Sequence, residues 1–127
     1  MQVKTILFWG ARIIAAVILL QTLYFKFTGH PESVALFSKL GVEPWGRIAT
    51  GIVELIASVL LLLPATAFWG GLLGVGLMFG AIGSHLLVIG IESQGDGGYL
   101  FMLAILVLLL SVVVVRMSPK PIKWIKV

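Results

Sequence analysis

An all-α membrane bundle of four transmembrane helices, with a short interfacial helix between the first two spans, is the fold this sequence predicts. Three observations predict it. Hydrophobic residues make up 60% of the 127 and charged residues only 11%, whereas a soluble domain carries about 25% charged residues. The mean hydropathy is +1.15, too apolar a balance to cover a water-facing surface. Four stretches each come close to the roughly 20 apolar residues that cross about 30 Å of hydrocarbon. The formal charge of +4 comes from nine scattered Lys and Arg residues, a pattern that orients membrane helices rather than gripping nucleic acid. With no cysteine in the chain, disulfides, thiol relays, cysteine-ligated clusters and covalently attached c-type haem are excluded.

The elements follow in order, within a single transmembrane domain over residues 1–127. The first span covers about 5–27. Its apolar stretch is longer than a signal peptide's about 7–15 residues and lacks a small-residue cleavage site, so it reads as retained. Pro31, then Val34, Phe37 and Leu40 at helical spacing, then Gly41, predict the short interfacial helix. The second span, about 45–63, stops at Pro64, which cannot continue a helix interior. A tight uncharged turn leads into the third span, about 68–91, making the two antiparallel neighbours. A polar turn, Glu92 to Gly98, precedes the fourth span, about 99–116, and Asp96 is placed to cap that helix. A basic tail, 117–127, ends the chain.

Lys and Arg set the expected orientation. The side holding both termini carries Lys4, Arg116, Lys120, Lys123 and Lys126, against Lys26, Lys39 and Arg47 on the other. The positive-inside rule therefore puts both termini in the cytoplasm. Trp9, Trp45, Trp69 and Trp124 fall near helix ends, where indole rings favour the headgroup layer.

Inside the bilayer, close approach and polar contacts must drive helix packing. Gly70/Gly74 and Gly76/Gly80 form two small-residue rows on different faces of the third span, able to meet neighbouring helices, a second protomer or a membrane-protein partner. Polar residues at this depth usually line an interior or cavity. Arg47, Thr50, Gly51, Glu54 and Ser58 make one polar face of the second span; Arg12, Thr22 and Lys26 share a face of the first; His85 lies on the third. At about 1.5 Å per residue, Arg12 lies roughly 10 Å and Glu54 roughly 14 Å from the terminal side, within reach of one another. Desolvating an unpaired carboxylate costs several kcal/mol, so Glu54 should pair with Arg12, Lys26 or Arg47, or be protonated. Such a pair serves either to fix helix register or to form the polar end of a cavity for a headgroup, a quinone carbonyl or a proton. No spacing of His30, His85, Glu32, Glu54 and Glu92 resembles a metal cluster.

Several short stretches share a further likeness: Arg12; Tyr24-Phe25-Lys26-Phe27-Thr28-Gly29-His30-Pro31; Phe37-Ser38-Lys39-Leu40-Gly41; Thr50-Gly51-Ile52-Val53-Glu54-Leu55; and the glycine-rich third span. Together, from Ala11 to about Val115, they resemble the DoxX-like family. The resemblance implies a small four-helix protein of the prokaryotic cytoplasmic (inner) membrane. Relatives include a subunit associated with thiosulfate:quinone oxidoreduction, and more distant ones look like membrane chaperones. Cysteine-bearing redox members exist nearby, and this chain departs from them. Arg12, Lys26, Gly51, Glu54 and His85 are the positions the resemblance carries over, as core-lining residues.

The expected function is a non-enzymatic, redox- or stress-associated membrane module. It would bind a lipophilic molecule such as a quinone in an outward-facing cavity lined by Arg12, Lys26, Arg47, Thr50, Glu54 and His85. The alternatives are an assembly factor without a ligand, docking through its glycine rows, and a small-solute transporter.

Overall fold

The computed structural model describes residues 2–93 and 95–119. The tail's Lys120, Lys123, Trp124 and Lys126 lie outside the described residues. Among the described residues five α-helices follow one another: α1 (Val3–Phe27), α2 (Pro31–Lys39), α3 (Trp45–Leu62), α4 (Ala67–Ser84) and α5 (Tyr99–Met117). A 3-10 turn (Pro64–Thr66) joins α3 to α4, and a π segment (His85–Ile89) continues α4. The four helical rods are each long and apolar enough to cross a membrane.

The ends of α1 and α2 are written in the sequence. Gly29, at φ +67°, closes α1: its amide donates to Lys26 O, and the His30 amide donates to Phe25 O. This paired bonding satisfies carbonyls that a helix end leaves open, and the left-handed turn it needs suits glycine. His30 then caps α2, its Nδ1 accepting from the Glu32 amide at 3.2 Å, with Pro31 in the first helical position. Gly41 repeats the closure after α2, with Val42 N donating to Phe37 O. The interfacial helix is thus two residues shorter than the predicted 31–41 stretch.

The third span differs from expectation. Instead of one α-helix to residue 91, α4 ends at Ser84 and widens into the π segment, where the Gly90 amide bonds back to His85 O at 2.6 Å. Gly90, at φ +89°, then turns the chain away.

Neighbours in the bundle run α1–α3, α3–α4, α4–α5 and α5–α1, with the α1–α3 and α4–α5 pairs packed most extensively. Small residues explain how closely each pair approaches. A β-carbon on Gly70 would lie 2.6 Å from the Leu61 backbone nitrogen. One on Gly71 would lie 2.8 Å from Val115 Cγ2, and one on Gly74 would strike Ser111 Oγ. Ala15, Ala16, Ala57, Leu61 and Val114 are buried at this same end. Toward the opposite end, a β-carbon on Gly76 or Gly80 would meet nothing within 4 Å. The two tight pairs therefore meet over the half that holds the N-terminus and stand apart over the other half. Gly70 and Gly74 are buried in the chain's own packing, while Gly76 and Gly80 stay exposed.

Arg12 is fully buried (0% exposed) yet does not approach Glu54. Its Nε donates to Leu61 O at 2.7 Å and its Nη2 to Leu62 O at 2.9 Å. Its guanidinium also lies over Trp9, 4.2 Å from the ring centroid. The last carbonyls of a helix lack internal partners and carry the negative end of its dipole, and inside hydrocarbon no water replaces them. Leu63 N serves Val59 O and Thr66 Oγ1 serves Leu60 O at 2.9 Å. Arg12 supplies the remaining two, so all four terminal carbonyls of α3 are satisfied. Depth alone would set Arg12 beside Glu54; the unmet carbonyls of α3 are nearer and need a forked donor.

Candidate functional site

Where the two helix pairs stand apart lies a cavity of about 680 Å³. Its walls come from α1, α3, α4, the π segment and α5, and α2 contributes Glu32, Ser33, Leu36 and Phe37. Phe37 anchors α2 by burial, and Lys39 Nζ donates to Ile89 O at 3.3 Å, tying it to the π segment. The volume and mostly apolar lining with few convergent polar groups are those of a small-molecule site.

One wall is charged. Lys26 Nζ sits 2.9 Å from Glu54 Oε1. The Thr22 hydroxyl lies 2.9 Å from Glu54 Oε2 and 3.0 Å from Leu19 O, so one proton is divided between two acceptors. Glu54 is 3% exposed. Its Oε1 has the lysine's charge beside it but no aligned hydrogen bond, which leaves a buried lone pair with a free direction. Sequence periodicity puts Thr22 and Lys26 one turn apart on α1 and Glu54 on α3, and the helix contact brings the three together. Gly51 makes that contact possible, because Phe27 packs where its β-carbon would stand, 2.6 Å away.

The facing wall carries His85, 3% exposed. Its Nδ1 lies 2.9 Å from Gly90 O. A carbonyl only accepts, so Nδ1 holds the proton and, in the neutral ring, Nε2 presents a lone pair. Nε2 has no partner among the described residues. Phe101 packs edge-on, ring centroids 5.5 Å apart, and fixes the imidazole's plane. The π segment is what turns His85 and the Gly90 carbonyl toward one another. Nothing in the third span's hydrophobic period announces that widening.

Asp96 closes this end. Its Oδ1 accepts from Ser93 N at 3.0 Å and Gly98 N at 2.8 Å, and its Oδ2 from Leu100 N at 3.0 Å. Burial pushes its carboxyl upward, but the hydrogen bonds from the Leu100, Gly98 and Ser93 amides outweigh that and hold it below the ordinary value. A depressed folded-state pKa adds stability at pH values above the unfolded value of about 3.9, lost as pH falls through the folded one. Asp96→Asn is expected to lower stability by about 1 kcal/mol and to flatten the acid limb of a melting-temperature profile below about pH 4.

Of the six expected lining residues, Lys26, Thr50, Glu54 and His85 border the cavity, and Arg12 and Arg47 do not. Arg47 turns to Glu43, 2.9 Å from Oε1, and its Nη1 donates to the Lys26 carbonyl. It thereby clasps the end of α1 to the start of α3. Thr22 and Asp96 border the cavity without being among the residues expected there. Thr22 had a signal in its one-turn spacing before Lys26. Asp96 had only its capping position. Among the described residues, no group of three His, Asp or Glu side chains is placed to hold a metal ion.

Four apolar rods around an interior lined by an ion pair and a histidine define a multi-pass helical membrane protein. The model of the DoxX-like family matches residues 11–115, and the chain belongs to that family. Comparison with curated proteins and with solved structures finds no match.

Proposed function

We propose that the cavity binds a lipophilic small molecule with a polar head, such as a quinone, and that the chain is a non-enzymatic module of the prokaryotic inner membrane. The observation that carries this reading is the buried Lys26–Glu54 pair facing an imidazole across about 680 Å³. An ion pair that only fixed helix register would be expected to have its lone pairs saturated. Here Glu54 Oε1 and His85 Nε2 both keep acceptor capacity. A quinone carbonyl accepts from Lys26, and a quinol hydroxyl donates to either acceptor. The excess of Lys and Arg on the terminal side supports cytoplasmic termini and an outward-facing cavity.

Decylubiquinone titrated into the protein in lipid nanodiscs tests the reading. Glu54→Leu alone strands Lys26, so the informative variant is Lys26→Leu with Glu54→Leu, which removes both charges without leaving an orphan. It is expected to stay folded and to bind at least about tenfold more weakly, 1.4 kcal/mol. Unchanged binding contradicts the reading. If the double variant fails to assemble, the pair is architectural.

One observation favours a second reading, an assembly factor. Gly76 and Gly80 are exposed with no side chain against them, a surface on which a partner helix would seat. Gly76→Leu would then abolish crosslinking to one dominant membrane protein, and Lys26→Leu with Glu54→Leu would leave that crosslink intact.

A further inference from the structure

We propose that the cavity is filled sideways from the bilayer, through a gap between α3 and α4 whose sill is Gly76 and Gly80. This rests on the cavity being a ligand site. The gap follows from how the helices meet. At the hairpin end α3 and α4 touch backbone to backbone beneath Gly70. Further along, Gly76 and Gly80 line the cavity while remaining exposed, and a β-carbon on either would meet no atom within 4 Å. Across the gap, Thr50 on α3 lines the same cavity and is half-exposed. The other routes are more obstructed. Both tight pairs stay joined toward this end, α1 to α3 by Lys26–Glu54 and Phe27 against Gly51, and α4 to α5 by His85 against Phe101. The α1–α5 side carries the bulky Phe25 and Leu103, and α2 crosses the end of the bundle.

Depth decides what can use the opening. Gly80 and Gly76 lie nine and thirteen residues before Ile89, roughly 12–20 Å inward from that end of the span. This is acyl-chain level, below the headgroups. A water-soluble molecule never reaches it, whereas a lipid-soluble one arrives already desolvated and presents its polar head to His85 and Glu54, two side chains almost wholly buried that keep unfilled acceptor capacity. The ligand class is therefore an amphipathic molecule dissolved in the membrane, its polar head able to accept from Lys26 or to donate to His85 and Glu54.

The absence of cysteine gives a reversible test. Gly80→Cys, in phosphatidylcholine nanodiscs, is modified with benzyl methanethiosulfonate, and decylubiquinone loading and release are timed by quenching of intrinsic fluorescence. The plug is expected to slow both rates by about tenfold or more, and reductant restores them. A misfolded protein would not recover on reduction. Unchanged rates in the plugged protein, with binding still weakened in the Lys26→Leu, Glu54→Leu variant, overturn the portal and leave the site standing. Slowing by a plug at Leu103→Cys and not at Gly80→Cys moves the entrance to the α1–α5 side and also overturns it. Spontaneous disulfide dimers of Gly80→Cys would make the glycine face a contact between protomers, and that result overturns the portal as well. No binding of the probe by the unmodified protein removes the site, and the portal with it.

Discussion

Arg12→Met is expected to destabilise the bundle by about 3–5 kcal/mol, although Arg12 touches no cavity wall. The guanidinium supplies both Leu61 O and Leu62 O, at 2.7 and 2.9 Å. Methionine matches much of its volume and none of its donors, so two carbonyls at a helix end are stranded in an apolar setting. Each stranded acceptor costs about 1–3 kcal/mol. Arg12→Lys keeps the charge but loses the fork that spans two successive carbonyls, and should fall between parent and methionine variant. Thermal unfolding in mild detergent measures the loss, and hydrogen exchange at the last amides of α3 locates it. A methionine variant as stable as the parent would mean that water reaches those carbonyls.

The second large effect separates glycines that look alike in sequence. Gly70→Ala places a methyl 2.6 Å from Leu61 N and 2.9 Å from Leu60 C, backbone atoms that cannot swing aside. Relief requires α3 and α4 to part at the hairpin, a loss of about 2 kcal/mol or more. Gly76→Ala meets open space and gains up to about 1 kcal/mol of helix propensity. Melting temperatures of the two variants should therefore move in opposite directions. If both fall, Gly76 is packed against something outside the chain, as the assembly reading requires.

Much of the fold was legible because membrane helices must be long, apolar and internally bonded. The four spans, the helix start at Pro31, the cap at Asp96 and the stop at Gly41 all follow from local chemistry. The π segment was not legible, since His85 to Ile89 reads as more apolar helix and the widening depends on Gly90 turning the chain. Arg12 was misplaced for an instructive reason: depth and side-chain length allowed it to reach Glu54, but a sequence does not show which carbonyls a neighbouring helix leaves unmet. Periodicity put Lys26 and Glu54 on polar faces without revealing that these faces meet, because the meeting depends on Phe27 seating on Gly51. Arg47 shares Glu54's helix face, yet its own loop's Glu43 captures it one turn away.

The same glycines produce the hollow. Gly70, Gly71 and Gly74 let one half close, and the unfilled positions of Gly76 and Gly80 leave the other half open. Packing and cavity are thus two results of one distribution of small residues.

Mass spectrometry of the protein released gently from its own membrane most directly tests whether the inward-facing pair serves a ligand. A small-molecule adduct on the parent protomer, absent when Lys26 and Glu54 are both leucine, is the predicted spectrum. A bare parent mass, or an adduct that survives the double substitution, would contradict it.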